Sequence, residues 1–192
     1  MTILALTASP RRNGNSEHLL ASFLRGAAAE GWEAETIHLN DLNLRPCQAC
    51  DGCAPTGRCI VQDDMQKLYP KIIDCKALVL ATPLYFGSLS AQMKMFIDRF
   101  QCWWHAKYNL DNPFIKPEEE RPAYFICVGA LKKKEYGESA QKIAAVYFHI
   151  VNLKQHGSLC FRGYDEPGSI AEAPDALEEA FQAGITFSRD FK

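Results

Sequence analysis

Ile3-Leu4-Ala5-Leu6-Thr7-Ala8-Ser9-Pro10-Arg11-Arg12-Asn13-Gly14-Asn15-Ser16 runs from an apolar, strand-like segment into a polar turn with no acidic residue before Glu17. Behind it, Leu19, Leu20, Phe23, Leu24 and Ala27 recur at helical spacing, with Ser16 as the expected N-cap and Gly31 closing the helix. A strand, a short polar turn and a helix in that order open a βαβ unit. Further runs at Ala34–Leu39, Ala77–Thr82, Tyr124–Val128 and Ser158–Phe161 read as strands, and Met65–Cys75, Ala91–Trp104, Ser139–Leu153 and Pro174–Ser188 as helices. Parallel neighbours need crossovers that helices supply, so the expected fold class is α/β, a three-layer sandwich around a five-stranded parallel sheet in the order 2-1-3-4-5.

The 192 residues suit one domain over 1–192, with Asn109–Pro122 as an inserted surface loop and Lys132–Lys134 as a solvated one. With 47% hydrophobic residues and a formal charge of −2, the chain offers no global field to gather nucleic acid or an anionic membrane. No uninterrupted apolar stretch exceeds six residues, as in Ile143–Phe148, against the roughly 20 that a spanning helix needs. The apolar start precedes Arg11 and Arg12, the wrong order for a secretion signal, which makes the cytoplasm the expected compartment.

The turn at Ser9–Ser16 falls where anions bind, since the N–H groups of a helix start are unsatisfied and its dipole is positive there. Ser9, Asn15 and Ser16 add donors and Arg11 adds charge-assisted bonds, while an ordinary polar turn is the alternative. With no G-x-G-x-x-G and no G-x-x-x-x-G-K-[ST] present, a single terminal phosphate such as that of FMN suits the turn better than a dinucleotide or ATP. After the third strand, Pro83-Leu84-Tyr85-Phe86-Gly87 occupies the carboxyl edge of the sheet beside the phosphate turn; a flat ring fits against it, or the aromatics simply cover core.

Cys47, Cys50, Cys53 and Cys59 form C-x2-C-x2-C-x5-C in a loop at 45–62. Tight spacing favours one 4Fe-4S cluster over zinc, which usually takes two separated knuckles; free thiols or a labile metal remain open. Cys75, Cys102, Cys127 and Cys160 show no mutual spacing and read as core packing, and the five histidines form no ligand set. Trp103 and Trp104 are adjacent, so one is expected to meet a partner subunit unless both fill the core.

Taken together, Ser9-Pro10-Arg11 with Asn15-Ser16, the four cysteines with Asp63-Asp64-Met65, Pro83-Leu84-Tyr85-Phe86-Gly87 and Lys94 through Asp98-Arg99 resemble the flavodoxin-like NAD(P)H-dependent FMN reductases, and within them the iron-sulfur flavoproteins, over roughly residues 1–105. The resemblance implies that Ser9, Arg11, Asn15 and Ser16 hold the FMN phosphate, that Pro83, Leu84, Tyr85, Phe86 and Gly87 hold the ribityl chain and ring, and that Gly129 begins a third flavin loop. It also implies cysteine ligation of a cluster, a homodimer or homotetramer, and NAD(P)H as electron donor. The acceptor would be a flavin, quinone or other small molecule; the alternative is an electron carrier serving a ferredoxin-like partner. No side-chain acid or base is required, because the cofactor carries the hydride chemistry.

Overall fold

The computed structural model describes residues 1–119 and 121–191. In chain order these form β1 (Thr2–Thr7), α1 (Asn15–Ala29), β2 (Glu33–His38), α2 (Met65–Asp74), β3 (Ala77–Tyr85), β4 (Ser88–Leu89), α3 (Ala91–Asp98), α4 (Gln101–Trp104), β5 (Arg121–Gly129), α5 (Glu135–Ile150), β6 (Leu153–Arg162) and α6 (Pro174–Arg189). The sheet runs β2-β1-β3-β5-β6 with every neighbour parallel. Counting parallel strands only, this is the expected 2-1-3-4-5 order. β4 is an addition, a two-residue antiparallel strand folded back on the end of β3.

Alternation along each central strand builds the two outer layers, because successive side chains leave a strand on opposite faces. Leu4 and Leu6, Leu78 and Leu80, and Phe125 and Cys127 enter the layer made with α2, α3, α4 and α5. Ile3 and Ala5, Val79 and Ala81, and Tyr124 and Ile126 enter the layer made with α1 and α6. β2 is an edge strand whose Glu33 and Glu35 stay exposed, with Glu35 paired to Lys71, which discourages pairing with another chain.

Several expectations need correction. Gly14, not Ser16, is the N-cap of α1; Ser16 lies buried within the first turn, and Glu17 reaches back to the Asn13 N–H at 2.7 Å. The expected helix over 91–104 is broken at Arg99 and Phe100: the Arg99 carbonyl accepts from the Tyr69 hydroxyl at 2.9 Å and from the Cys102 thiol at 3.2 Å, so it is lost to the helical ladder. α5 starts at Glu135, immediately after the exposed Lys132–Lys134. The expected loop over 109–122, of which residue 120 lies outside the described residues, is pinned rather than simply superficial: Ile115 is buried and its carbonyl accepts from Asn152 at 2.7 Å, Phe114 packs on Trp103, and β5 already begins at Arg121. Cys75, Cys102 and Cys127 are buried, whereas Cys160 is half-buried and stands beside Cys127 across the β5–β6 ladder.

α1 and α6 pack with almost nothing between them. A Cβ on Gly26 would stand 2.0 Å from the Phe181 carbonyl, and one on Gly184 would stand 2.0 Å from the Phe23 carbonyl. The contact is reinforced by Ser22 donating to the Leu177 carbonyl at 2.7 Å and the Trp32 ring donating to the Ser188 carbonyl at 3.1 Å. Intrinsic helix preference favours alanine over glycine by about 1 kcal/mol, yet Gly184→Ala is expected to destabilise by roughly 1–3 kcal/mol, because overpacking forces backbones apart. Urea unfolding decides the sign; a stabilised variant would contradict the close approach.

Candidate functional site

Two cavities contain the residues singled out by the sequence, apart from Phe86 and Gly87. The first, about 150 Å³, opens at the carboxyl edge of the sheet and is lined from four loops, after β1, β3, β5 and β6. Ser9, Arg11, Asn15 and Ser16 line it from the β1–α1 turn, Pro83, Leu84 and Tyr85 from the end of β3, and Gly129 from the end of β5. This is the crevice where ligands of open α/β sheets bind.

The turn is held by its own side chains. Ser9 donates from its hydroxyl to the Arg11 carbonyl at 2.8 Å and accepts the Arg11 N–H at 3.2 Å. Arg12 is taken by Asp41, which leaves Arg11 as the cation on the cavity wall. The first-turn N–H groups of Asn15 and Ser16 have no helical acceptor before them. The Asn15 side-chain amide donates to the Glu166 carbonyl at 3.0 Å and accepts the Ile170 N–H at 3.1 Å, stapling the β1–α1 turn to the β6–α6 loop.

The β3–β4 connection is a two-residue hairpin turn. Phe86 (φ 51°) and Gly87 (φ 73°) both take the left-handed conformation that such turns demand, which glycine adopts without cost. The turn places Phe86 fully exposed at its tip, and the Gly87 carbonyl accepts from the Ser139 hydroxyl at 2.6 Å; neither residue lines the cavity. Gly129 does line it, and a Cβ there would stand 2.8 Å from that of Leu84, so the glycine lets two walls meet. The sequence reading missed Tyr164, Asp165 and Pro167, which complete the wall from the β6–α6 loop. Gly163, Pro167 and Gly168, turn residues at the carboxyl end of a strand, are the signal that marks them.

The second cavity, about 130 Å³, is lined by Cys47, Cys50, Cys53 and Cys59 together with Arg99, Cys102 and His105. The loop between Cys47 and Cys53 bends through Ala49 (φ 49°) and Asp51 (φ 53°), left-handed positions that are strained for residues with a Cβ and that collect at functional sites. Burial pushes the Cys53 thiol up, and Cys59, Cys47 and Cys50 add to the shift, so ionised thiolates here repel one another. A bound cationic group would relieve that repulsion. Among the described residues no three His, Cys, Asp or Glu side chains converge on a single ion position; the four cysteines stand around the wall instead.

Arg99 holds this loop to the core. Its side chain has 0% exposure and that of Asp63 has 2%, and the two pair at 2.5 Å. The guanidinium also donates to the Arg45 carbonyl at 2.9 Å, the Val61 carbonyl at 3.4 Å and the Cys59 sulfur at 3.4 Å. Asp63 accepts the N–H of Arg45 at 2.9 Å and of Met65 at 3.0 Å, and Asp64 accepts that of Asn43 at 2.8 Å. Burial favours neutral Asp63, yet Arg99 and these N–H groups outweigh it and hold the carboxyl below its ordinary value.

The description of a family model, NADPH-dependent FMN reductase, matches residues 1–159. The chain belongs to the NADPH-dependent FMN reductase family. Within the family it is 38% identical over 99 residues to an iron-sulfur flavoprotein of Methanocaldococcus jannaschii, covering 52% of this chain and 51% of that one. The chain spans about half the length of the iron-sulfur flavoproteins it first matches. It is 29% identical over 185 residues, 94% of each chain, to the Bacillus subtilis protein YwqN, whose name describes an NAD(P)H-dependent FMN-containing oxidoreductase. In fold it is similar to an NAD(P)H:quinone oxidoreductase from Methanothermobacter marburgensis, with a TM-score of 0.71 at 20% identity, covering 96% of this chain and 94% of that one. No helix among the described residues is long and apolar enough to cross a membrane.

Removing one partner of a buried ion pair leaves the other charged and unpaired, so Asp63→Asn in this FMN reductase family member is expected to cost roughly 3–5 kcal/mol at neutral pH. The depressed Asp63 value means that its contribution is fully present above the ordinary 3.8 and is lost as pH falls through the lower, folded-state value. Wild type and variant should therefore differ in denaturant midpoint at pH 7 and converge in strong acid; a constant difference down to the acid limit would refute the assignment.

Proposed function

We propose that the protein is an FMN-dependent oxidoreductase that accepts hydride from NAD(P)H and passes electrons to a flavin, quinone or other small acceptor. The observation that carries this reading is the convergence of the four loops on one cavity that is polar and cationic at one end, with Arg11 and two free helix N–H groups, and apolar at the other, with Pro83, Leu84 and Tyr85. Family membership supports it.

The residues fit the cofactor. Arg11, Ser9 and the N–H groups of Asn15 and Ser16 would hold its phosphate, Pro83, Leu84, Tyr85 and Gly129 its chain and ring, and Asp165 offers a carboxylate to hydroxyl donors. Bound FMN supplies two-electron hydride chemistry, which explains why the chain needs no acid or base of its own. The cavity is smaller than the roughly 300–1,000 Å³ of a typical ligand pocket. Such a cavity would enclose only one end of the nucleotide, and Tyr85, 42% exposed, marks where the ring would meet a nicotinamide.

Two further parts of the reading concern partners. Cys47, Cys50, Cys53 and Cys59 would hold a 4Fe-4S cluster, consistent with their arrangement around one cavity and with the names of the iron-sulfur relatives. This favours, as a second reading, an electron carrier with a ferredoxin-like partner, acting in a reducing cytoplasm that preserves the thiols. A second copy of the chain would cover the apolar groove of about 480 Å³ between α3–α4 and α5, where Trp104 and Val146 stand exposed beside Ile97, Ile143 and Ile150. Trp103, by contrast, is buried against Tyr69 and Phe100.

Arg11→Glu should weaken FMN binding by about 2 kcal/mol, some thirtyfold, since a charge-assisted bond becomes a repulsion. Fluorescence titration with FMN measures this, and unchanged affinity would overturn the phosphate assignment. Anaerobic reconstitution should give about four irons and four sulfides per chain, and Cys50→Ser should lose the cluster but keep FMN. Mixing the FMN-loaded protein anaerobically with NADPH or NADH should bleach the flavin at a saturating rate; reduction by a reduced ferredoxin alone would establish the carrier instead.

A further inference from the structure

The register of the last two strands joins two thiols that the flavin and cluster readings leave unused. Cys127 in β5 and Cys160 in β6 stand directly opposite across the parallel ladder, and both face the α5 layer. Adjacent strands lie about 4.7–4.9 Å apart, inside the Cα separation of roughly 4.4–6.8 Å that a disulfide spans. Space for the sulfur is provided from the helix above: a Cβ on Gly137, in the first turn of α5, would stand 2.3 Å from the Cys160 sulfur.

The pair is asymmetric. Cys127 is fully buried, while Cys160 is half-buried on the edge strand. The proximity of Cys127 and the Arg162 charge hold Cys160 below the ordinary thiol range against the opposing effect of burial. The position of Cys160 on the edge strand makes it the attacking thiol, and the buried Cys127 opposite it the resolving group. Cys75 and Cys102 are buried and pushed up to about 11, which makes them inert internal references.

We propose that Cys127 and Cys160 form a redox-active dithiol, a site of two-electron oxidation by a hydroperoxide, separate from the Cys47–Cys59 loop. The Cys160 thiolate attacks one peroxide oxygen, the O–O bond breaks, hydroxide departs and is protonated to water, and Cys160 becomes a sulfenic acid. Cys127 then attacks that sulfur: the S–S bond forms, the S–O bond breaks, and a second water leaves with the Cys127 proton. Two thiols and one hydrogen peroxide give one disulfide and two waters, with sulfur oxidised by two electrons and oxygen reduced by two. A small peroxide suits a sulfur roofed by Gly137 better than a bulky disulfide, which needs an open approach along its S–S axis.

The location gives the bond a structural effect. Cys127 lies two residues before Gly129, whose carbonyl accepts the N–H of Gly163 at 2.9 Å and of Tyr164 at 3.2 Å. A disulfide would fasten together the bases of the two loops that carry Gly129, Ala130, Tyr164 and Asp165 to the sheet-edge cavity. The proposal does not depend on FMN or on a cluster being bound, so its failure and theirs are separable.

The test treats the full chain, with and without FMN, with one equivalent of hydrogen peroxide, followed by alkylation in denaturant, proteolysis and mass measurement. The expected product is a peptide pair joined through Cys127 and Cys160, 2 Da lighter than the reduced pair, with Cys75 and Cys102 recovered as thiols. It should form on the order of tenfold faster with hydrogen peroxide than with oxidised glutathione. Cys127→Ser should halt at a Cys160 sulfenic acid that dimedone traps, and Cys160→Ser should leave Cys127 reduced. Recovery of both thiols intact, or oxidation of Cys160 to a sulfinic acid in wild type while Cys127 stays free, would overturn the dithiol; faster linkage by glutathione would overturn the peroxide. Should either serine variant fail to fold, the wild-type peptide map alone decides.

Discussion

A single buried cation organises half of this molecule. Arg99, with no exposed side-chain surface, draws together Asp63, the Arg45 and Val61 carbonyls and the Cys59 sulfur, four groups that belong to the same long connection between β2 and α2. That connection has almost no regular structure, and a loop of this length without such an anchor would carry backbone groups with nowhere to bond. The charge is kept in place because nearly every donor of the guanidinium is used and its counter-ion is itself held by two backbone N–H groups. The break in the helical ladder at Arg99 follows from the same demand, since the backbone carbonyl is turned to Tyr69 and Cys102.

The parallel sheet was legible in the sequence because strands such as Ala77-Leu78-Val79-Leu80-Ala81 are apolar on both faces and separated by helical periods. The helix break was not, because Ala91–Trp104 keeps its apolar spacing through Arg99; what interrupts it is a hydrogen bond from Tyr69, 30 residues away. Within the site, Ser9 and Arg11 were readable from the chemistry of a helix start, Pro83, Leu84 and Tyr85 from the carboxyl edge of the sheet and Gly129 from the family resemblance, and the structure brings them to one cavity. Phe86 and Gly87 share the motif but belong to the turn, whose two left-handed residues turn the phenyl ring outward. Asn15 was assigned by residue type, whereas its two polar atoms are spent on the β6–α6 loop. Cys127 and Cys160 read as core packing because their separation of thirty-three positions means nothing until a register is known.

The two cavities divide the work between different kinds of support. The sheet-edge cavity is framed by strand ends and a helix start, where positions are set by the backbone ladder. The cysteine cavity is framed by irregular chain held at a few strong points, with strained backbone at Ala49 and Asp51. Rigid elements position groups more closely than loops do, so the first is preformed for its ligand and the second is the more responsive to what it holds.

The close contact of α1 and α6 joins the two ends of the described chain. α1 begins at the Ser9–Ser16 turn, and its far side is shaped to receive α6 through Gly26 and Gly184, while Asn15 is stapled to the segment leading into α6. The turn at one end of the described chain thus takes its rigidity from a helix at the other, so damage to α6 would reach the sheet-edge cavity without touching a residue that lines it.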